Sequence, residues 1–336
     1  MPELLRRHTS LRLGGPAHRW VEATTEDQLV EAVAEADAGG GPVLILAGGS
    51  NLVVADEGFP GTVVKVATRG VETDGSLVTI AAGETWDNVV AGAVERGEAG
   101  IEALSGIPGS VGATPIQNVG AYGQEVSETI TSVRVWDRSL KGIRTFAAVE
   151  CGFGYRTSRF KADPGRHVVL SVTFQLEAGP LGAPVKYAEL ARTLGLEPGG
   201  RAPLADVRVA VLGLRTGKGM VLDPDDHDTW SAGSFFTNPF LTEEQSVALP
   251  AEAPRWTQPD GSVKTSAAWL IERAGFAKGY GNDRVSLSTK HTLALTNRGS
   301  ATTSDLLELA REVRDGVAER FGVHLVNEPV LVGVDL

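Results

Sequence analysis

Val43-Leu44-Ile45-Leu46-Ala47-Gly48-Gly49-Ser50-Asn51 reads as a short apolar strand that runs without a break into two glycines and two polar residues. Paired glycines at a strand end uncover backbone N–H groups and allow the concave nest that holds an anion. Ser50 and Asn51 add side-chain donors suited to a diphosphate. The same four residues are also the vocabulary of a tight turn, which by itself is the commoner use of them. Upstream, Thr25 caps a helix expected over Glu26–Ala38, whose Leu29, Ala32, Val33 and Ala36 make one apolar stripe. Gly39-Gly40-Gly41-Pro42 ends it. Downstream come strands at Val63–Val66 and Leu77–Ile80 and a helix over Trp86–Glu95, so the N-terminal part alternates helix and strand.

A second glycine-rich stretch, Gly106-Ile107-Pro108-Gly109-Ser110-Val111-Gly112-Ala113-Thr114-Pro115-Ile116-Gln117-Asn118-Val119-Gly120-Ala121-Tyr122-Gly123, carries few signals of regular structure. Its glycines and prolines fix a shape while removing side chains that would block a ligand, and a packed Ω-loop reads equally well. Strand-like segments follow at Ser132–Val135 and Val168–Phe174, with Gly/Pro-rich patches at 179–184 and 197–203. Helices are expected at Thr265–Ala274 and Asp305–Phe321, and the tail His324–Val334 is strand-like, placed to pair with an earlier sheet.

With 336 residues the chain is too long for one ordinary core, so two or three domains are expected. Its 42 acidic against 31 basic residues give a net charge of -11, which argues against a nucleic-acid partner. Cys151 is the sole cysteine, so an internal disulfide and a thiolate metal cluster are both excluded. Neither a secretory signal nor a run of about 18 apolar residues occurs, and a cytoplasmic protein without membrane contact is expected. The histidines lack metal-ligand spacing, and no metal is expected. No G-x-G-x-x-G fingerprint is present, and Gly213–Gly219 lacks the spacing of a P-loop.

Beyond the two loops, Arg156 lies in the cationic run Gly154-Tyr155-Arg156-Thr157-Ser158-Arg159-Phe160-Lys161, which by composition is a solvated face but whose guanidinium suits a carboxylate. Ser234, in Ala232-Gly233-Ser234-Phe235-Phe236-Thr237-Asn238-Pro239, belongs to neither a G-x-S-x-G elbow nor a triad. Together with the two loops, these segments resemble the enolpyruvoylglucosamine reductases, as do Ala267-Ala268-Trp269-Leu270-Ile271-Glu272, Leu293-Ala294-Leu295-Thr296-Asn297 and Leu325 followed by Glu328. The matches fall in family order over almost the whole chain. Where many relatives have valine after that glutamate, this chain has Pro329.

The resemblance implies an α+β protein with an FAD-binding pair of subdomains of the vanillyl-alcohol-oxidase/PCMH type and a C-terminal α+β substrate-binding domain. The boundaries expected on it are 1–67, 68–214 joined by the tail 324–336, and 215–323. It implies non-covalent FAD, NADPH as hydride donor, UDP-N-acetylglucosamine enolpyruvate as substrate, and a monomer that binds only small molecules. Carried over by residue, Arg156, Ser234 and Glu328 would be catalytic, Ser234 as proton donor. FAD would lie along Gly48, Gly49, Ser50, Asn51, Pro108, Gly109, Ser110, Gly112, Ala113, Ile116 and Gly120. Substrate would meet Tyr122, Tyr187, Arg215, Lys218, Asn238 and His291, with the Tyr187 loop and the insertion after it fitting the type I subgroup.

Overall fold

A computed structural model describes residues 2–258 and 260–336. The chain opens with β1 (Ala17–Ala23), α1 (Glu26–Ala38), β2 (Val43–Leu46), β3 (Leu52–Val54) and β4 (Phe59–Val66). Strands β1, β4 and β2 form a parallel sheet in that order, Leu44 opposite Val63 and Trp20 on its other side. Helix α1 covers it with Leu29 and Val33, both fully buried, as the apolar stripe requires. Thr25 caps the helix at Gln28 N–H, but the Gln28 side chain reaches Thr24 rather than the cap residue itself.

A second, antiparallel sheet follows, built from β5 (Val71–Asp74), β6 (Leu77–Ala81), β7 (Ile130–Asp137), β8 (Gly142–Ala147) and β9 (His167–Gln175) in the order β8-β7-β9-β6-β5. Inward positions of β7 and β9 alternate with half-exposed ones, the period-two pattern of a sheet with one buried face. Helix α2 (Trp86–Arg96) inserts the buried Trp86 beside Phe174, and large apolar side chains of this kind each contribute about 1.5–3 kcal/mol on burial. Val33 of α1 and Val64 of the first sheet share a continuous core with Ile80, Val133 and Val172 from the second. The segments 1–67 and 68–214 thus pack as one body with two sheets.

Helix α3 (Leu204–Gly217) crosses the expected boundary at 214/215, because Val207 and Val211 bind it to Val185 and Leu190 as far as its last turn. Residues beyond it form a separate core around α4 (Ala267–Arg273) and α5 (Thr303–Phe321), where Leu306, Leu309, Ala310, Val313 and Val317 are buried. Thr302 and Asp305 close a capping box at the start of α5, and Gly322 (φ +64°) ends it.

The tail corrects a second expectation. Its strand β10 (Val330–Val332) pairs in parallel with β3, Val330 opposite Leu52, and so joins the first segment instead of the second. The reason is burial: Val53 and Val54 are closed to solvent, and Val53 packs into the core of the C-terminal unit, so β3 needs a partner on that side. The β3–β10 pair is the seam between the two bodies.

Candidate functional site

The two glycine-rich loops meet. A Cβ on Gly48 would stand 2.4 Å from Gly109 Cα, so backbone lies directly on backbone there, and Ser50 Oγ donates to the Pro108 carbonyl at 3.0 Å. Gly49 takes φ +61°, and the His8 carbonyl fills the place of its side chain. Among the described residues, no protein acceptor meets the N–H groups of Gly49, Ser50 and Asn51. Ser110 Oγ is buried without a partner. Next to Gly48 opens a cleft of about 440 Å³ lined by Arg7, His8, Arg12, Lys65 and Trp230 among others. Free backbone donors beside a cleft that carries Arg7, Arg12 and Lys65 against the single acid Asp223 are the chemistry an anion such as a diphosphate requires.

Not every residue assigned to that cradle faces it. Gly112 is pressed on Ala82, where a Cβ would come within 2.5 Å, and its N–H donates to the Ala82 carbonyl, so it anchors the loop to the second sheet. Ala113 and Ile116 lie in the tight turns that follow Ser110, and the Ile116 carbonyl accepts from Ser158 Oγ at 2.6 Å. Gly120 offers its carbonyl to Arg156 at 2.7 Å.

Around Arg156 the backbone is strained. Among the described residues, five non-glycine residues have positive φ, and three of them, Asn118, Tyr122 and Arg156, are here. Such conformations cost on the order of 1–3 kcal/mol each and persist where surrounding contacts enforce them. The Arg156 side chain is fixed by the Gly120 and Asn118 carbonyls, and its Nε lies 3.3 Å from Glu328 Oε1. Lys161 donates to the Arg156 carbonyl at 3.0 Å. Burial raises the Glu328 pKa above the usual carboxylate range, with Arg156 and then Lys161 opposing it. Asn51 Nδ2 donates to the Glu328 carbonyl at 3.3 Å and to Gln117 Oε1 at 3.0 Å, while Gln117 Nε2 reaches Glu328 Oε1 at 3.4 Å. Sequence reasoning passed over Gln117, although it stands in the quoted loop, because a lone glutamine carries no motif.

Ser234 follows Gly233 (φ +71°) and precedes two fully buried phenylalanines. Glu328 N–H donates to the Phe235 carbonyl at 2.8 Å, and Phe236 bridges to Asn327, so Ser234 and Glu328 occupy neighbouring extended segments. The half-buried Ser234 hydroxyl bonds to no described residue and is open to a ligand.

The remaining candidates cluster beside this centre. Tyr122 and Tyr187 meet edge to face with ring centres 5.5 Å apart, Tyr187 half exposed. Lys218 pairs with Glu189 at 2.6 Å and stands 5.6 Å from the centre of the Tyr122 ring. Arg215 is buried, donates to the Met220 carbonyl at 2.8 Å and leaves Nε without a partner. Asn238 is committed on one side, its Oδ1 accepting from Ala267 N–H at the start of α4. Among the described residues, no cluster of three or more His, Cys, Asp or Glu could hold a metal.

His291 carries a test of this geometry. Burial first, then the charges of Lys218 and Lys278, lower its pKa from 6.5 to about 4, and its Nε2 is buried without a partner. A histidine whose folded pKa is depressed stabilises fully above pH 6.5 and loses that contribution as pH falls toward 4. Up to about 3 kcal/mol is expected to disappear over that window. Urea unfolding of the parent and of His291→Leu, at pH 7.5 and 4.5, checks it: a parallel fall in both proteins would refute the assignment.

The C-terminal domain of UDP-N-acetylenolpyruvoylglucosamine reductases, as a family model, matches residues 223–332, and an FAD-binding-domain model matches residues 17–142. The chain is 61% identical to the UDP-N-acetylenolpyruvoylglucosamine reductase of Streptomyces avermitilis, over 98% of this chain and 93% of that one. To the protein of the same name from Mycobacterium leprae it is 52% identical, over 97% and 93%. The crystal structure of UDP-N-acetylenolpyruvylglucosamine reductase from Thermus caldophilus aligns with a TM-score of 0.69 at 26% identity, covering 99% of this chain and 98% of that one.

Proposed function

The chain belongs to the UDP-N-acetylenolpyruvoylglucosamine reductase family, and we propose that Arg156, Ser234 and Glu328 carry the protein's part of that reaction. It is an FAD-dependent oxidoreductase that uses NADPH to form UDP-N-acetylmuramate from UDP-N-acetylglucosamine enolpyruvate, in peptidoglycan precursor synthesis. FAD, when bound, would supply hydride transfer between NADPH and the vinyl methylene carbon of the enolpyruvyl group. The N–H groups of Gly49, Ser50 and Asn51, with Ser110 Oγ, would hold its diphosphate.

The chain's own residues manage charge and the proton. As hydride arrives, the electron pair of the double bond moves to the adjacent carbon and spreads into its carboxylate. Arg156, held by two carbonyls in a strained conformation, sets a fixed cation against that charge without reorganising. The Ser234 hydroxyl gives its proton to the same carbon. An alkoxide is costly, so the Arg156 cation beside the site is needed for the transfer. Glu328, desolvated and paired with Arg156, orients the carboxylate end. Lys218 and Arg215 would meet the substrate diphosphate, with Asn238 and His291 in the same pocket and Tyr187 closing over it from Tyr122. FAD would lie along the 1–67 and 68–214 segments, and the unit beyond α3 would cap the substrate.

Action as a monomer on small molecules is part of this reading. No helix among the described residues is long and apolar enough to cross a membrane. The buried thiol of Cys151 fits a reducing compartment, and a cytoplasmic place of action is part of this reading.

One observation carries the reading: Arg156 and Glu328 pair beside a serine hydroxyl that bonds to no described residue. Anaerobic stopped-flow absorbance near 450 nm tests it. NADPH is expected to bleach the flavin, and UDP-N-acetylglucosamine enolpyruvate to restore it. Bleaching without recovery would remove the assigned substrate, and a protein that binds no flavin would remove the reading altogether.

A further inference from the structure

Glu328 reaches the cleft through a side chain pinned at one oxygen only. Its Oε1 meets Arg156 Nε at 3.3 Å and Gln117 Nε2 at 3.4 Å. Its Oε2 bonds to no described residue and is not sealed from solvent. The Gln117 amide has no freedom to turn over, because Oε1 of that amide accepts from Asn51 Nδ2 at 3.0 Å. Turned the other way, two NH₂ groups would face each other and two oxygens would face each other. Asn51 is itself held on the opposite strand, its Nδ2 on the Glu328 carbonyl and its own carbonyl on Val330 N–H. The row Asn51–Gln117–Glu328–Arg156 therefore runs from the glycine loop to the guanidinium with every donor direction set.

We infer that Gln117 is a positioning residue: its amide, fixed in sense by Asn51, holds Oε1 of Glu328 against Arg156 so that Oε2 stays turned to the substrate. The inference rests on the reading that Glu328 acts on substrate. The charged and titratable groups facing that carboxylate are Arg156 and Lys161 from the 154–161 segment, with Tyr155 next to them. Gln117, from a different segment, is the neutral donor in the set. Removing it leaves the carboxylate with one partner, free to swing and harder to ionise.

The test uses the holoenzyme and Gln117→Leu, with Gln117→Asn as a second variant whose shorter amide stays polar but falls short of Glu328. Carbon-13 labelling of glutamate carboxyls lets Glu328 be assigned as the resonance absent from Glu328→Gln. Both variants are expected to titrate Glu328 about one pH unit higher than the parent and to slow flavin reoxidation by the enolpyruvyl substrate about tenfold. Flavin affinity and bleaching by NADPH are expected to stay at parent values. An unmoved Glu328 titration overturns the inference. So does a joint loss of flavin affinity and both half-reactions, which would make Gln117 a scaffold of the loop. If Glu328→Gln itself reoxidises at the parent rate, the underlying reading of Glu328 falls instead, which separates the two failures.

Discussion

Replacing Ser234 by alanine is expected to slow flavin reoxidation by UDP-N-acetylglucosamine enolpyruvate roughly a hundred- to ten-thousand-fold, the range spanned by a positioned proton donor. Bleaching by NADPH should keep the parent rate, since that half of the cycle asks nothing of the serine. The structure makes the experiment clean. The Ser234 hydroxyl has no partner to strand among the described residues, and the fold around it is held by Phe235, Phe236 and the backbone bond to Glu328. Thermal unfolding should therefore be unchanged, and Ser234→Cys, which restores a donor, should regain part of the rate. If both half-reactions fall together, or stability drops with them, Ser234 shapes the pocket and does not supply the proton.

The second large effect is expected from Arg156→Lys. The guanidinium spends different nitrogens on the Gly120 carbonyl, the Asn118 carbonyl and Glu328. One ammonium cannot span all three while also facing a substrate carboxylate. Loss of a fixed charge-stabilising donor typically costs on the order of a hundred- to a thousand-fold, and that loss should again fall on reoxidation. Lysine must adopt the same positive φ as the arginine it replaces, so backbone strain is common to both proteins and drops out of the comparison. Rapid-reaction measurement of the two half-reactions decides it: parent-like reoxidation in the variant would mean that any nearby cation serves.

Much of the fold was legible from residue patterns. The α1 stripe, its Thr25 cap and the glycine-rich stop name the helix, and the alternation in β7 and β9 names the strands. The two loops were conspicuous as sequence because few folds need so many glycines together, yet their contact at Gly48 and Gly109 was not. Tertiary packing decides such contacts, and a period of two or 3.6 residues does not encode them. The positive φ of Asn118, Tyr122 and Arg156 was equally hidden, because no glycine marks those positions. The expected boundary at 214/215 came from the resemblance, whereas the buried face of α3 carries the helix on to Gly217. The proposed catalytic residues were legible only through family resemblance; taken singly, Glu328 is an ordinary carboxylate until burial and Arg156 surround it.

The β3–β10 seam has a bearing on how the protein is made. Asn51 and Glu328, joined by a hydrogen bond, are 277 residues apart along the chain. On the ribosome, β3 emerges early without a partner strand, and the strand that pairs with it is polymerised long after the residues of both larger sheets. Until then the nascent chain has its glycine loop, Arg156 and Ser234 but not Glu328. A chain released a few codons before β10 would therefore lack both the carboxylate that meets Arg156 and the strand that pairs with β3.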